Sequence, residues 1–218
     1  MKKSPGEYRN ERGGSLIDEQ LILAARILSQ GGIVALPTET CYGLAVAADN
    51  EKALARLFQI KKRPSHKPVL LLIHDISLLK SLVSAIPEAY ISLIEKYWPG
   101  PLTLIFPARP ELSVYLTGGT RTVGIRISSH PQAMALGRLI GKAITATSAN
   151  LSGQTPGQCP SDVMDSFGEN IDYVIDGGRT PAGLCSTIIS LHNDELCLLR
   201  SGAIEVAGVK TKLPFSPF

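Results

Sequence analysis

The strongest constraint on this chain is the way its apolar residues are punctuated. They come in short runs: Gly32 to Leu36, Val69 to Ile73, Leu102 to Phe106, Thr122 to Ile127, Ala143 to Ala146, Tyr173 to Ile175, Thr187 to Leu191 and Leu196 to Leu199. Runs of this length read as buried strands and fall far short of a membrane span. Helical spacing appears elsewhere. Leu16 to Gln30 carries Ile17, Leu21, Ala24, Ala25 and Leu28 on one face and ends at Gly31-Gly32. Asn50 to Lys62 carries Leu54, Leu57 and Phe58; Ile76 to Tyr97 predicts one or two helices broken near Pro87; Gln132 to Ile140 predicts another. Several strands follow one another with no helix between them, so a purely parallel doubly wound sheet is excluded. The pattern predicts one α/β domain, a mixed parallel and antiparallel sheet with helices packed on it, without repeats or an internal linker.

Composition narrows the class further. The 218 residues are 44% hydrophobic and 19% charged, ordinary for a folded soluble protein. A formal charge of +3 is too small to mark a nucleic-acid binder, so any electrostatic argument rests on where the charges cluster. Cys41, Cys159, Cys185 and Cys197 are widely spaced, with no CxxC pair and no His at ligand spacing. A zinc site and a disulfide framework are therefore not expected, and a reducing cytoplasm is. Met1 to Gly14 is polar and charged, unlike a signal peptide, and is expected to be a flexible extension.

Three segments carry polar chemistry. Pro37-Thr38-Glu39-Thr40-Cys41-Tyr42-Gly43-Leu44 directly follows a predicted strand, where hydroxyls and a carboxylate must find partners; it reads as a binding loop or as a capped turn. Lys61-Lys62-Arg63-Pro64-Ser65-His66-Lys67-Pro68 sets four cations in seven residues. Such a cluster suits polyphosphate, or else a solvated helix end facing the C-terminal dipole. Pro64 disfavours helical geometry at Arg63, so the cluster lies where helix becomes extended chain. Thr145-Ala146-Thr147-Ser148-Ala149-Asn150-Leu151-Ser152-Gly153-Gln154 is a run of small residues whose backbone can approach a ligand closely, or a plain turn. Arg126 sits inside the apolar strand Gly124 to Ile127, a charge that burial would oblige to find a partner. Arg200 and Ser186-Thr187 lie at strand ends and are ambiguous alone.

Other motifs fail on inspection. Gly137 to Ala143 is one residue short of a P-loop and lacks the Ser or Thr after Lys142; Gly177, Gly178 and Gly183 make no dinucleotide fingerprint. There is no G-x-S-x-G, and Cys41 as a nucleophile has no His close in sequence.

Read in order, six elements resemble the YrdC-like family of threonylcarbamoyl-adenylate synthases. They are Pro37 to Leu44, the K-x-R-P of Lys61 to Pro64, Trp98-Pro99-Gly100-Pro101-Leu102-Thr103, Val123-Gly124-Ile125-Arg126, Thr147 to Gly153, and Ser186-Thr187. Each is weak alone; their joint order is specific. The resemblance implies a twisted mixed sheet around a deep basic cavity, with a YrdC-like catalytic domain over residues 15–205 and a tail over 206–218. It implies an enzyme that joins L-threonine, bicarbonate and ATP, with Mg²⁺ on the phosphates and no organic cofactor. A partner transferase then carries the threonylcarbamoyl group to the adenosine beside the anticodon of tRNA.

The same resemblance assigns Thr40, Leu72, Arg126, Ala146 and Ser186 to L-threonine. It assigns Arg63, Lys67, Thr122, Ser148, Asn150, Pro156 and Arg200 to ATP, and Lys61, Arg63 and Arg126 to catalysis. Many relatives place a His in the strand where this chain has Val69 to Ile73, so a contact from Leu72 is apolar or through the backbone. Longer members carry a further C-terminal domain, for which this chain stops too soon at Phe218; its tail, with Lys210, Lys212, Phe215 and Phe218, is a candidate to cover the cleft. Two other readings stand beside this one. One is carbamoyl-adenylate formation or carbamoyl transfer, and the other a tRNA or double-stranded RNA module using Lys61 to Lys67.

Overall fold

A computed structural model describes residues 18–181 and 184–210. The expected N-terminal extension and residues 211–218 of the tail lie outside the described residues. The first helix, α1 (Glu19–Ser29), is capped by Asp18, which accepts from the Gln20 amide at 3.0 Å; it buries Leu21, Ala24 and Leu28. Strand β1 (Val34–Leu36) follows and pairs antiparallel with β2 (Gly43–Ala45). Helix α2 (Glu51–Ile60) starts at Asn50, whose side chain accepts from the Ala53 amide, and buries Ala53, Leu54, Leu57 and Phe58. Its end is sharp. Lys62 turns left-handed at φ 49°, and the Arg63 amide reaches back to the Phe58 carbonyl at 2.9 Å. The chain leaves the helix on the basic cluster, as Pro64 predicts.

The next segment is β3 (Leu71–Leu72), shorter than the run from Val69 to Ile73 suggests, since only these two residues are paired on both sides. Between Ile76 and Tyr97 the chain forms α3 (Leu79–Leu82) and α4 (Ile91–Tyr97), each led in by one 3-10 turn and separated at Pro87. There follow β4 (Leu102–Pro107), α5 (Val114–Thr117), β5 (Thr122–Arg126), α6 (Pro131–Ile140), β6 (Ile144–Thr145), β7 (Thr147–Ser148), α7 (Pro160–Phe167), β8 (Tyr173–Val174), β9 (Thr187–His192) and β10 (Glu195–Arg200). Among the described residues no helix is long and apolar enough to cross a membrane.

The strands form two mixed sheets. The larger has the order β10-β9-β4-β5-β3-β6, with β4/β9 and β3/β5 parallel and the other pairs antiparallel. The smaller is β7-β2-β1-β8, with β1/β8 parallel. Ala146 is where the chain steps from one sheet to the other: β6 belongs to the first, β7 to the second. The Ala146 amide bonds the Leu70 carbonyl at 2.8 Å, and Ala47 bridges Ile144. The mixed α/β architecture expected from the sequence is present, in two joined sheets rather than one.

A large core lies against β4 and β5, where Tyr90 stands edge-on to Phe106 at 5.2 Å and donates to the Ile105 carbonyl at 2.9 Å. A second core packs α1 and α6 on Val34, Leu36, Ala45 and Ile144. Beyond the domain boundary expected at 205, Lys210 runs beside β10: its amide bonds the Leu196 carbonyl, and its ammonium pairs with Glu195 at 2.5 Å.

Candidate active site

A cleft opens where the two sheets meet, holding about 670 Å³ with its mouth included. Five stretches of chain form its wall: the loop between β1 and β2, the strand approach from Arg63 to Leu72, the middle of the large sheet at Thr103 and Arg126, the crossing at Ala146 to Ser148, and Cys185 to Ile188 with Arg200. Strand ends at a seam between sheets supply many side chains within a small radius, which explains why the polar residues gather there.

The loop is wound around Thr38. Its hydroxyl donates to the Cys41 carbonyl at 2.7 Å and accepts from the amides of Thr40 and Cys41 at 3.2 and 3.3 Å. That uses its single proton, so in the 2.8 Å contact with Thr40 the Thr40 hydroxyl is the donor. Thr40 in turn accepts from Arg126 at 3.4 Å. The Arg126 guanidinium is buried and pairs with Glu39 at 2.9 Å, while the other Glu39 oxygen accepts from the Ser128 hydroxyl. A buried strand charge thus has its partner supplied by the loop.

The other two arginines are anchored differently. Arg63 donates to the carbonyls of Lys67 at 3.0 Å and Pro68 at 2.7 Å. Arg200 donates twice to the Ser186 carbonyl, at 3.1 and 2.9 Å, and to the Ser186 hydroxyl at 3.0 Å. Ser186 also meets Thr103 at 2.8 Å. Among the described residues neither Arg63 nor Arg200 has a carboxylate partner. Burial pulls both guanidiniums below their ordinary values, and each has another arginine pulling the same way: Arg200 acts on Arg63, and Arg126 on Arg200. The Cys185 and Cys41 sulfurs oppose this at Arg200. The cleft is electrostatically short of negative charge, and an anion would relieve it. Among the described residues no three His, Cys, Asp or Glu side chains gather closely enough to hold a metal ion.

A family model described as Telomere recombination, covering the Sua5, YciO and YrdC proteins, matches residues 26–202. The chain belongs to this family. It is 42% identical over 188 residues to a threonylcarbamoyl-AMP synthase of Bacillus subtilis, covering 86% of this chain and 54% of that protein. A threonylcarbamoyl-AMP synthase of Idiomarina loihiensis is 38% identical over 175 residues, 79% of this chain and 94% of the relative. Among solved structures, Pyrococcus abyssi Sua5 in complex with L-threonine superposes with a TM-score of 0.86 at 35% identity, over 90% of this chain and 60% of that one. The chain spans about half the length of the Bacillus subtilis and Pyrococcus abyssi synthases it matches.

Of the residues the family resemblance points to, Thr40, Arg63, Leu72, Arg126, Ala146, Ser148, Ser186 and Arg200 all line the one cleft. Leu72 contributes an apolar wall there. Lys61 is elsewhere. Its side chain is buried beneath the cleft, and its ammonium donates to the carbonyls of Ser148 at 2.5 Å and Asn150 at 2.7 Å. Burial pushes Lys61 down to about 7, helped by the Arg63 charge. Asn150 is buried in the same loop, accepting from the Ser148 hydroxyl and donating to the Gln154 carbonyl, both at 2.5 Å. Both therefore shape the loop rather than face the space. Lys67 is exposed, Thr122 bonds Thr120 at the start of β5, and Pro156 is half-buried in the following loop; none of the three lines the cleft.

Glu39, Thr38, Thr103, Ser128 and Cys185 belong to the site without having been assigned a role from the sequence. Glu39 carried one signal, a carboxylate inside a hydroxyl-rich loop. Thr103 is a fully buried polar residue near the start of an otherwise apolar strand, which is the same kind of signal as Arg126.

Proposed function

We propose that this chain is an enzyme, a nucleotidyltransferase that condenses L-threonine, bicarbonate and ATP into threonylcarbamoyl-adenylate and pyrophosphate. One observation carries the reading: three guanidiniums line one cleft, and among the described residues the only carboxylate paired with any of them is Glu39, whose oxygens are already taken by Arg126 and Ser128. The reaction needs that surplus. It brings together the threonine carboxylate, the carbamate and the triphosphate, and fixed cations and donors lower the cost of assembling them. The names of the relatives, and the L-threonine bound by the Pyrococcus abyssi protein, support the same substrates.

Threonine lies at the Arg126 end. The free edge of Arg126 takes its carboxylate, while the hydroxyls of Thr40 and Ser186, the Ala146 backbone and the apolar wall of Leu72 orient the rest. The neutral amine attacks the carbon of bicarbonate, and water is lost, leaving an N-carboxylate. An oxygen of that group attacks the α-phosphorus, and the bond to the bridging oxygen breaks to release pyrophosphate. Arg63, Arg200 and Ser148 meet the nucleotide. Mg²⁺ entering with the triphosphate would neutralise part of its charge. The donor set fits an ion held mainly by phosphate, because both oxygens of Glu39 are engaged by Arg126 and Ser128.

The product passes to a partner transferase that modifies tRNA in the cytoplasm, with exposed Lys62 and Lys67 beside Arg63 available to RNA. The test is pyrophosphate release from ATP, Mg²⁺ and bicarbonate with and without L-threonine. Release should require threonine and fall roughly tenfold or more in Arg63→Ala, the loss of one charge-assisted contact. Release indifferent to threonine, or undiminished in Arg63→Ala, would refute the assignment.

A further inference from the structure

Two sulfurs face each other across the wall of the cleft. Cys41, in the loop between β1 and β2, and Cys185, just before β9, are 144 residues apart in sequence, yet their Sγ atoms lie 3.9 Å apart. Both are free thiols and both line the cleft. The reaction proposed above uses neither. We propose that Cys41 and Cys185 form an oxidisable dithiol, a modification site inside the cleft that hydrogen peroxide converts to an intramolecular disulfide.

Geometry brings the pair within reach. The sulfurs need to close by about 1.9 Å to reach bonding distance, a shift available to a loop residue and a residue preceding a strand. Charge distinguishes the two. The hydrogen bond with Cys41 lowers the Cys185 thiol against the opposing effect of burial; Arg200, Arg126 and Lys61 lower it further. The same hydrogen bond and burial raise Cys41. Cys185 is also the less buried of the two. It is the thiolate and the attacking group; Cys41 is the resolving thiol.

The steps balance. The Cys185 thiolate attacks one peroxide oxygen, the O–O bond breaks, and the departing hydroxide takes a proton to become water. Cys185 is left as a sulfenic acid. The Cys41 sulfur then attacks the Cys185 sulfur; the S–S bond forms, the S–O bond breaks, and the hydroxyl leaves with the Cys41 proton as a second water. Two thiols lose two electrons and two protons, and one peroxide is reduced to two waters.

The bond would tie Thr40 and Ser186, each adjacent in sequence to one of the cysteines, into one rigid corner. This consequence rests on the proposed function, which places threonine there. Oxidised protein should bind L-threonine several-fold more weakly by calorimetry, and dithiothreitol should restore it.

The full chain, treated with hydrogen peroxide, alkylated and digested, should lose two hydrogen masses and yield one peptide joining Cys41 to Cys185. Cys159 and Cys197 should remain alkylated. In Cys41→Ser, dimedone should trap a sulfenic acid at Cys185. Alkylation of Cys41 and Cys185 after peroxide to the same extent as before, or only intermolecular links, would overturn the dithiol. A protein that forms the link but releases no pyrophosphate when reduced would sink the proposed function and leave the dithiol standing. Unaltered threonine affinity in the linked protein would refute the closure of that corner.

Discussion

Replacing Lys61 with methionine separates two roles for this residue. As a phosphate ligand it would contribute to binding and little to stability. The structure instead makes it a fully buried strut whose ammonium holds the carbonyls of Ser148 and Asn150 at 2.5 and 2.7 Å. Methionine fills similar space but donates nothing, leaving two carbonyls beneath the cleft without this donor. Each such loss costs about 1–3 kcal/mol, partly offset because a buried cation no longer has to be desolvated. A net loss of about 3 kcal/mol is expected, which in a domain of this size lowers the melting temperature by roughly 10 °C. The loop from Ser148 to Gln154 should loosen with it, and nucleotide affinity should fall as a consequence. Thermal unfolding and ATP calorimetry on Lys61→Met read both effects. An unchanged melting temperature together with abolished ATP binding would refute the strut and make Lys61 a direct ligand.

The same residue gives a pH dependence. Burial holds Lys61 at about 7 in the folded protein against an ordinary 10.5. Between these values the unfolded chain binds a proton that the folded chain does not, so stability rises with pH across the window and is lost as pH falls through about 7. From about pH 7 to pH 9 the wild type should gain about 2 kcal/mol relative to Lys61→Met in urea titrations; the neutral amine keeps two hydrogens for its two carbonyls. Glu39→Ala strands the buried Arg126 charge and should cost about 3 kcal/mol, with Glu39→Gln costing less than half of that, measured by the same titrations. Gly202→Ala places a methyl 2.3–2.4 Å from backbone atoms of Cys185, Ser186 and Thr187. At Gly124 the nearest atom, at 2.3 Å, is the end of the Leu70 side chain, which can swing away. Gly202→Ala should therefore unfold at clearly lower denaturant than Gly124→Ala.

Much of the fold is legible because strand and helix periods leave a local trace. The apolar stripes of α1 and α2, the stop at Lys62 before Pro64 and the apolar runs of β4, β5 and β9 all lie in contiguous sequence. The strands β2 and β7 do not. Gly43 to Ala45 and Thr147 to Ser148 are two or three residues inside or beside polar motifs, and they are strands because the tertiary register pairs β2 with β1 and β7 with β2. Helix α7 shows only Val163 and Phe167 on its buried face, too thin a stripe to stand out among Ser, Gly and Gln. The site follows the same division. Arg126 is readable, since a charge amid isoleucines must be compensated. Lys61 is not readable as a strut, because nothing within the basic cluster foretells carbonyls 87 and 89 positions away.

How the arginines are held matters as much as where they are. A guanidinium fixed by a carboxylate is positioned but neutralised; one fixed by carbonyls is positioned and keeps its charge. Arg126 is of the first kind, with Glu39 beside it, whereas Arg63 and Arg200 are of the second, each tied by main-chain oxygen. The field therefore differs from one arginine to the next. Around Arg126 it is close to balanced and suits a substrate that carries its own ammonium and carboxylate, as an amino acid does. Arg63 and Arg200, the latter tied to Ser186, keep two uncompensated charges and suit a polyanion. The sharpest expectation from this asymmetry concerns salt. Raising ionic strength should weaken ATP binding steeply and L-threonine binding little, because screening acts on net charge and scarcely on a compensated pair. Parallel calorimetric titrations of the two ligands across a salt series measure this, and equal slopes would show that the anchoring of the arginines does not divide the cleft.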